Sequence, residues 1–348
     1  MTSTQGPSDP TSPAKREGDP ASSTPTITTR MILALALPSL GALIAEPLFT
    51  VIDSTMVGHL GTPQLAGLGI ASTVLNTAVG LFIFLAYSTT SLAGRHLGAG
   101  RRDLAIRSGV EAMWLAGGLG ALAAILLAVF ASPLLTWLGA DAATMPHALA
   151  YLRASAPGLV GMFVVLAATG TLRGLQDTRT PLVAASVGAA FNAVANWVLM
   201  YPLGLGVAGS GLGTAITQTL MAAFLGWMIV RAARREGVSL RPSTHGLFGA
   251  ALEGAPLLVR TLALRVALLA TLSAVTAIST QALAAHQIVW TLWSFAAYVL
   301  DALAIAAQAL AGFTTGTGER GAMRPLLRTL SRWGIGFGVA VGVALAIT

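Results

Sequence analysis

Long apolar stretches separated by short polar segments set the pattern of this chain. A membrane-crossing helix needs roughly 20 mostly apolar residues. Nine segments meet that length, at 31–57, 65–92, 109–137, 148–172, 181–200, 207–232, 248–277, 283–312 and 329–348. The polar breaks alternate in charge. Arg95, Arg101, Arg102 and Arg107 follow the second segment, and Arg173 and Arg179 follow the fourth. Arg231, Arg234, Arg235 and Arg241 follow the sixth, and Arg320, Arg324, Arg328 and Arg332 the eighth. The loops between, such as 138–145 and 201–206, carry no Lys or Arg. Basic residues accumulate on the cytoplasmic side of a membrane. The alternation therefore predicts a cytoplasmic N-terminus and supports the helix count independently of hydropathy. Residues 1–30 are rich in Ser, Thr and Pro without an apolar core. They read as a disordered cytoplasmic tail and not as a signal peptide.

Composition sharpens this picture. Only 9% of the 348 residues are charged, against roughly 25% in a soluble domain, and the mean hydropathy is +0.76. Lipid is the expected solvent and membrane lipid an expected partner. The absence of cysteine excludes disulfides and thiolate chemistry. The formal charge of +7 is spread over many short loops. No continuous basic patch forms, so no nucleic-acid partner is expected.

The chain repeats itself. A slide of 218 residues superposes Pro38 on Pro256, Leu40 on Leu258, Leu65 on Leu283, Ile70 on Ile288 and Leu85 on Leu303. It also sets Gly94, Gly98, Gly100 and Arg102 on Gly312, Gly316, Gly318 and Arg320. Six helices separate the copies, an even number, so both enter the membrane from one side as parallel repeats. The expected organisation is a six-helix N-lobe over 31–235 and a partial C-lobe of about three helices over 249–348. By the same slide Thr348 meets Phe130, so the second copy lacks the counterparts of three helices. From this shortfall the 348-residue form alone is not expected to transport efficiently.

Ionisable groups inside a membrane cost about 2.5–3.5 kcal/mol each on insertion scales, and those that remain are functional candidates. Glu46, Asp53 and Asp301 lie well inside helices. Glu46 and Asp53 are seven residues apart on the first helix and share a face, and Pro47 must open a backbone hydrogen bond beside Glu46. Such a hydrated, bendable site can bind H⁺ or Na⁺. The alternatives are a solvated Glu46 near the interface and an Asp53 that merely bonds a neighbouring hydroxyl. Asn192 and Asn196 share a face of the fifth helix, and Thr214 lies on the sixth. Their neutral oxygens suit Na⁺ or serve as inter-helix glue. Tyr298, Asp301 and Gln308 form a polar stripe on the eighth helix, suited to a proton or a cationic substrate. Pairing of Asp301 with Arg260 or Arg265 of the seventh is the other reading, and the two are compatible.

Histidines at 59, 96, 147, 245 and 286 stand singly, without metal-ligand spacing. No phosphate loop or catalytic constellation is present, so neither ATP-driven transport nor an enzyme is expected, and no cofactor beyond the coupling ion. Residues 46–61, EPLFTVIDSTMVGHLG, resemble the first helix of the multidrug and toxic compound extrusion (MATE) family, in its DinF branch. So do 173–181, RGLQDTRTP; 207–214, VAGSGLGT; and 297–301, AYVLD. The resemblance runs in order over 31–348. It implies an all-α polytopic protein of two parallel six-helix repeats in a V-shaped bundle, about nine helices of which are present. It implies export of small organic, often cationic, compounds across a bacterial cytoplasmic membrane against H⁺ or Na⁺ flow. The family's cation site falls on Asp53, Asn192, Asn196 and Thr214, with Glu46 a further partner and Pro47 the hinge. The polar stripe of Tyr298, Asp301 and Gln308, with Arg260, remains the substrate or cavity candidate read from the residues themselves. The departure is Asn196, where the family pattern has an acid, which leaves Asp53 as the main titrating group. No obligatory protein partner is implied. A lipid-linked saccharide flippase would want more cavity Arg or Lys than Arg260 and Arg265, and a truncated non-transporting membrane protein is the remaining alternative.

Overall fold

The computed structural model describes residues 29–318 and 320–347. Of the predicted tail, 1–28 lies outside the described residues. The described chain is helical: α1 (Thr29–Gly58), α2 (Thr62–Leu81), α3 (Phe84–Gly98), α4 (Arg102–Trp137), α5 (Met145–Ser155), α6 (Gly158–Gly174), α7 (Arg179–Met200), α8 (Gly206–Arg235), α9 (Thr244–Ile278), α10 (Thr280–Thr317) and α11 (Arg320–Ile347). Among the described residues seven helical stretches are long and apolar enough to cross a membrane, or eight with α5 and α6 taken as one bent span.

Two predicted spans differ from straight helices. The second breaks at Phe82 and Ile83, where tight i→i−3 bonds such as Phe82 N–H to Val79 O (3.0 Å) replace the regular ladder. The fourth bends by 53° between α5 and α6. Pro157 opens α6 there without an N–H to bond the previous turn. By contrast α1 runs through both Pro38 and Pro47 as one helix. The ninth predicted span falls in α11, which begins earlier than expected, at Arg320, and with its Arg-rich first turns is not among the stretches apolar enough to cross.

In lipid the usual amphipathic logic inverts, because apolar side chains face outward at no cost and polar groups must turn inward. On α7 the buried positions after Pro181 are Ala184, Gly188, Asn192, Asn196 and Met200, one every fourth residue. Val183, Val187, Val194 and Trp197 on the other side are exposed. The bundle packs through small residues, which let backbones approach closely. α6 runs through its centre with Gly158 against Ala215, Gly161 against Gln218 and Gly170 against Ala86. The second half docks on the first through α10. Ala306, Ala309 and Leu310 cluster with Ile32, Leu35 and Ala36 of α1 and Leu326 of α11.

Candidate functional site

α1, α7 and α8 bring one buried acid and five polar side chains together. Asp53 is 5% exposed. Its Oδ1 accepts from Ser210 Oγ at 2.5 Å and from Asn196 Nδ2 at 2.9 Å. The same Asn196 amide donates to Asn192 Oδ1 at 2.9 Å, and Asn192 Nδ2 reaches Thr217 Oγ1 at 3.4 Å. Thr217 in turn bonds the Gly213 carbonyl at 2.8 Å. Gly213 is needed here because any Cβ at that position would overlap Asn196 Oδ1. One buried oxygen beside the acid, Asn196 Oδ1, has no hydrogen-bond partner among the described residues, and the Thr214 hydroxyl meets the phenol of Tyr151. Tyr151 lies beside both Asp53 and Thr214. One carboxylate with neutral oxygens around it suits a hard monovalent cation or a proton. No cluster of three or more His, Cys, Asp or Glu exists among the described residues.

Asp53 opens on a cavity of about 330 Å³ lined by both halves of the chain. Thr214 and Tyr151 line it near Asp53, and Asn76, Gln218, Tyr87, Arg173, Tyr298 and Asp301 line it as well. Arg260 is the basic group facing Asp301. The structure thus brings Asp53, Thr214, Tyr298 and Asp301 to one space, with Asn192 and Asn196 behind the acid. Gln308 stands apart from the cavity lining, its Oε1 buried without a partner among the described residues. Pro47 lies on α1 between the lining residues Ala45 and Phe49. Glu46 lies on α1, and its side chain is outside the described residues. Arg265 reaches Gly80 of α2 and is absent from the cavity lining.

Sequence reasoning missed several contributors, Tyr151 among them. Ser210 and Thr217 lay within ordinary Gly/Thr-rich helix and had no signal beyond falling at i−4 and i+3 from Thr214. Tyr87 was masked by an apolar run. Arg173 was read as a loop residue and needs correction: it sits in the last turn of α6 and is only 8% exposed. The reason is the turn that follows. Gln176 takes a left-handed conformation (φ 65°), and Asp177 N–H returns to Leu172 O at 2.8 Å. Asp177 then accepts from Thr180 N–H (3.0 Å) and Thr180 Oγ1 (2.6 Å), capping α7. The RGLQDTRTP stretch is therefore a compact helix reversal that leaves Arg173 inside the bundle.

Apolar-surfaced helices whose polar side chains converge on an internal cavity define a multi-pass membrane protein. The chain belongs to the MatE family, whose profile matches residues 38–198 and 256–348. The two matches begin at Pro38 and Pro256, the pair that the 218-residue slide superposes. It is similar to DNA damage-inducible protein F of Escherichia coli K12 (29% identity over 308 residues, 86% of this chain and 66% of that protein). It is also similar to protein DETOXIFICATION 44, chloroplastic, of Arabidopsis thaliana (32% over 331 residues, 91% and 63%). With the multidrug resistance protein MdtK of Klebsiella pneumoniae it shares 27% over 210 residues, 59% of this chain and 46% of that one. The chain therefore spans less than two thirds of the length of these relatives. A solved structure of MATE in the bent conformation superposes with a TM-score of 0.82 at 22% identity, covering 90% of this chain and 71% of that one. A MOP superfamily transporter from Pyrococcus furiosus does so at 0.80 and 22%, covering 90% and 70%.

Proposed function

We propose that this protein exports small organic compounds across a bacterial cytoplasmic membrane in exchange for inward H⁺ or Na⁺, with its N-terminus cytoplasmic. The carrying observation is Asp53, a buried carboxylate held by Ser210 and Asn196 at the wall of a cavity shared by both halves. The unpartnered Asn196 Oδ1 and the Thr214 hydroxyl beside it support its use as a cation site.

Cation binding at Asp53 competes with its two donors and so alters how α1 sits against α7 and α8. Pro47, six residues earlier on α1, is where the helix can yield. Tyr298 and Asp301 on the same cavity let the second half sense the change. Rocking of one repeat against the other then alternates access. The test is Asp53→Asn in cells loaded with a fluorescent organic cation. Efflux driven by a pH or Na⁺ gradient is expected to disappear at unchanged membrane expression. Full efflux by the variant would remove Asp53 from coupling.

A further inference from the structure

Arg173 is a cation in the wrong place for a purely export-of-cations cavity. Its side chain is more than nine-tenths buried and lines the same space as Asp53. Its Nε has no hydrogen-bond partner among the described residues. The acid across the cavity, Asp301, already faces Arg260, and the group facing Arg173 is the phenol of Tyr87. The C-terminal carbonyl end of α6 offsets part of the cost of burying the charge. It leaves the guanidinium fork without the planar oxygen pair that such a fork prefers. A buried guanidinium with an N–H left unbonded is costly. The missing partner is then most simply supplied by what enters the cavity.

We propose that Arg173 is an anion-recognition point in the cavity, and that the preferred substrates are organic molecules carrying a carboxylate as well as the cationic or aromatic body that the rest of the cavity accepts. The inference rests on the export reading above and adds the substrate class. Asp53 and Arg173 give the cavity an acidic and a basic pole, so a zwitterion satisfies both while a simple cation satisfies one. Tyr87, beside Arg173, can donate its hydroxyl to the same carboxylate.

The test uses one dye in two forms, a zwitterionic rhodamine with a free carboxylate and its own ethyl ester. Binding to purified protein is followed by fluorescence polarisation, with the wild type, Arg173→Gln and Arg173→Lys. The free carboxylate is expected to bind at least tenfold more tightly than the ester to the wild type. That advantage should vanish in Arg173→Gln and return in part in Arg173→Lys. Equal affinities in the wild type, which need no variant to fold, overturn the inference. So does an advantage that survives Arg173→Gln. Ester binding sensitive to Asp53→Asn, with no carboxylate advantage, leaves the export reading standing and removes only this one. Failure of both dyes to bind removes both.

Discussion

Ser210 offers the sharpest quantitative test of the Asp53 site. Its hydroxyl donates to Asp53 Oδ1 at 2.5 Å, and the residue is fully buried. Among the described residues one other hydrogen bond reaches that oxygen, from Asn196 at 2.9 Å. Neutral side-chain hydrogen bonds between membrane helices average about 0.6 kcal/mol. A bond to an ionised group is worth about 1.5–3 kcal/mol. Ser210→Ala leaves that oxygen with the Asn196 amide as its one donor among the described residues. It should therefore destabilise the fold by about 1.5–3 kcal/mol, roughly a 10- to 150-fold shift in the unfolding equilibrium. The same change in an Asp53→Asn background removes a bond to a neutral oxygen and should cost about 0.5–1.5 kcal/mol. Reversible unfolding in mixed micelles, followed by tryptophan fluorescence, measures both. A cost near zero in the wild type refutes the network. An equal cost in the two backgrounds refutes an ionised Asp53 at rest.

Two further outcomes follow from close contacts. Gly213→Ala drives a methyl into Asn196 Oδ1 and should cost about 1–3 kcal/mol as overpacking. Cation-dependent protection of α7 against hydrogen exchange should fall with it. The segment joining the two halves is pinned to α4 by Ser243 Oγ on Glu111 (2.7 Å), Trp114 Nε1 on Leu240 O (3.0 Å) and Arg102 with Glu236 (3.3 Å). Glu111→Ala should speed amide exchange over 236–243 several-fold while leaving the middle of α4 unchanged, as mass spectrometry would show.

The sequence announces its helices loudly because lipid demands long apolar runs and leaves few other solutions. The Arg alternation and the Pro38–Pro256 repeat come from the same demand. Asp53 is legible for a related reason: an acid inside such a run is costly enough to stand out. Ser210 and Thr217 are not, since hydroxyls are cheap in membrane helices and abundant here. Asn192 and Asn196 show as a pair on one face, but their order does not. Only the fold shows that Asn196 touches the acid while Asn192 props Asn196. Arg173 was hidden by its position at a helix end, where basic residues usually reach water. Its burial depends on the turn at Gln176 and on the packing of α3 and α6. The break at Phe82 carries neither Gly nor Pro at its centre and had no sequence signal.

The repeat has a mechanical counterpart where the halves meet. A Cβ on Gly94 of α3 would come 2.9 Å from Ala309 O of α10, and one on Gly312 of α10 would come 2.7 Å from Ser91 O of α3. The 218-residue slide turns Gly94 into Gly312 and Ser91 into Ala309, so each contact is the image of the other. Gly98 against Phe313 O and Gly316 against Arg95 O repeat the relation one turn on. α3 and α10 therefore cross on a pseudo-two-fold axis with backbone on backbone, and no side chain can be added to either without parting them. Gly98→Ala and Gly316→Ala should each cost about 1–3 kcal/mol, and by symmetry the two costs should agree within about 0.5 kcal/mol. The double variant should cost less than their sum, because helices already parted by one methyl have room for the second. Strict additivity, or one costly and one neutral change, would show that the two contacts yield independently and that the axis between the halves is not a single joint.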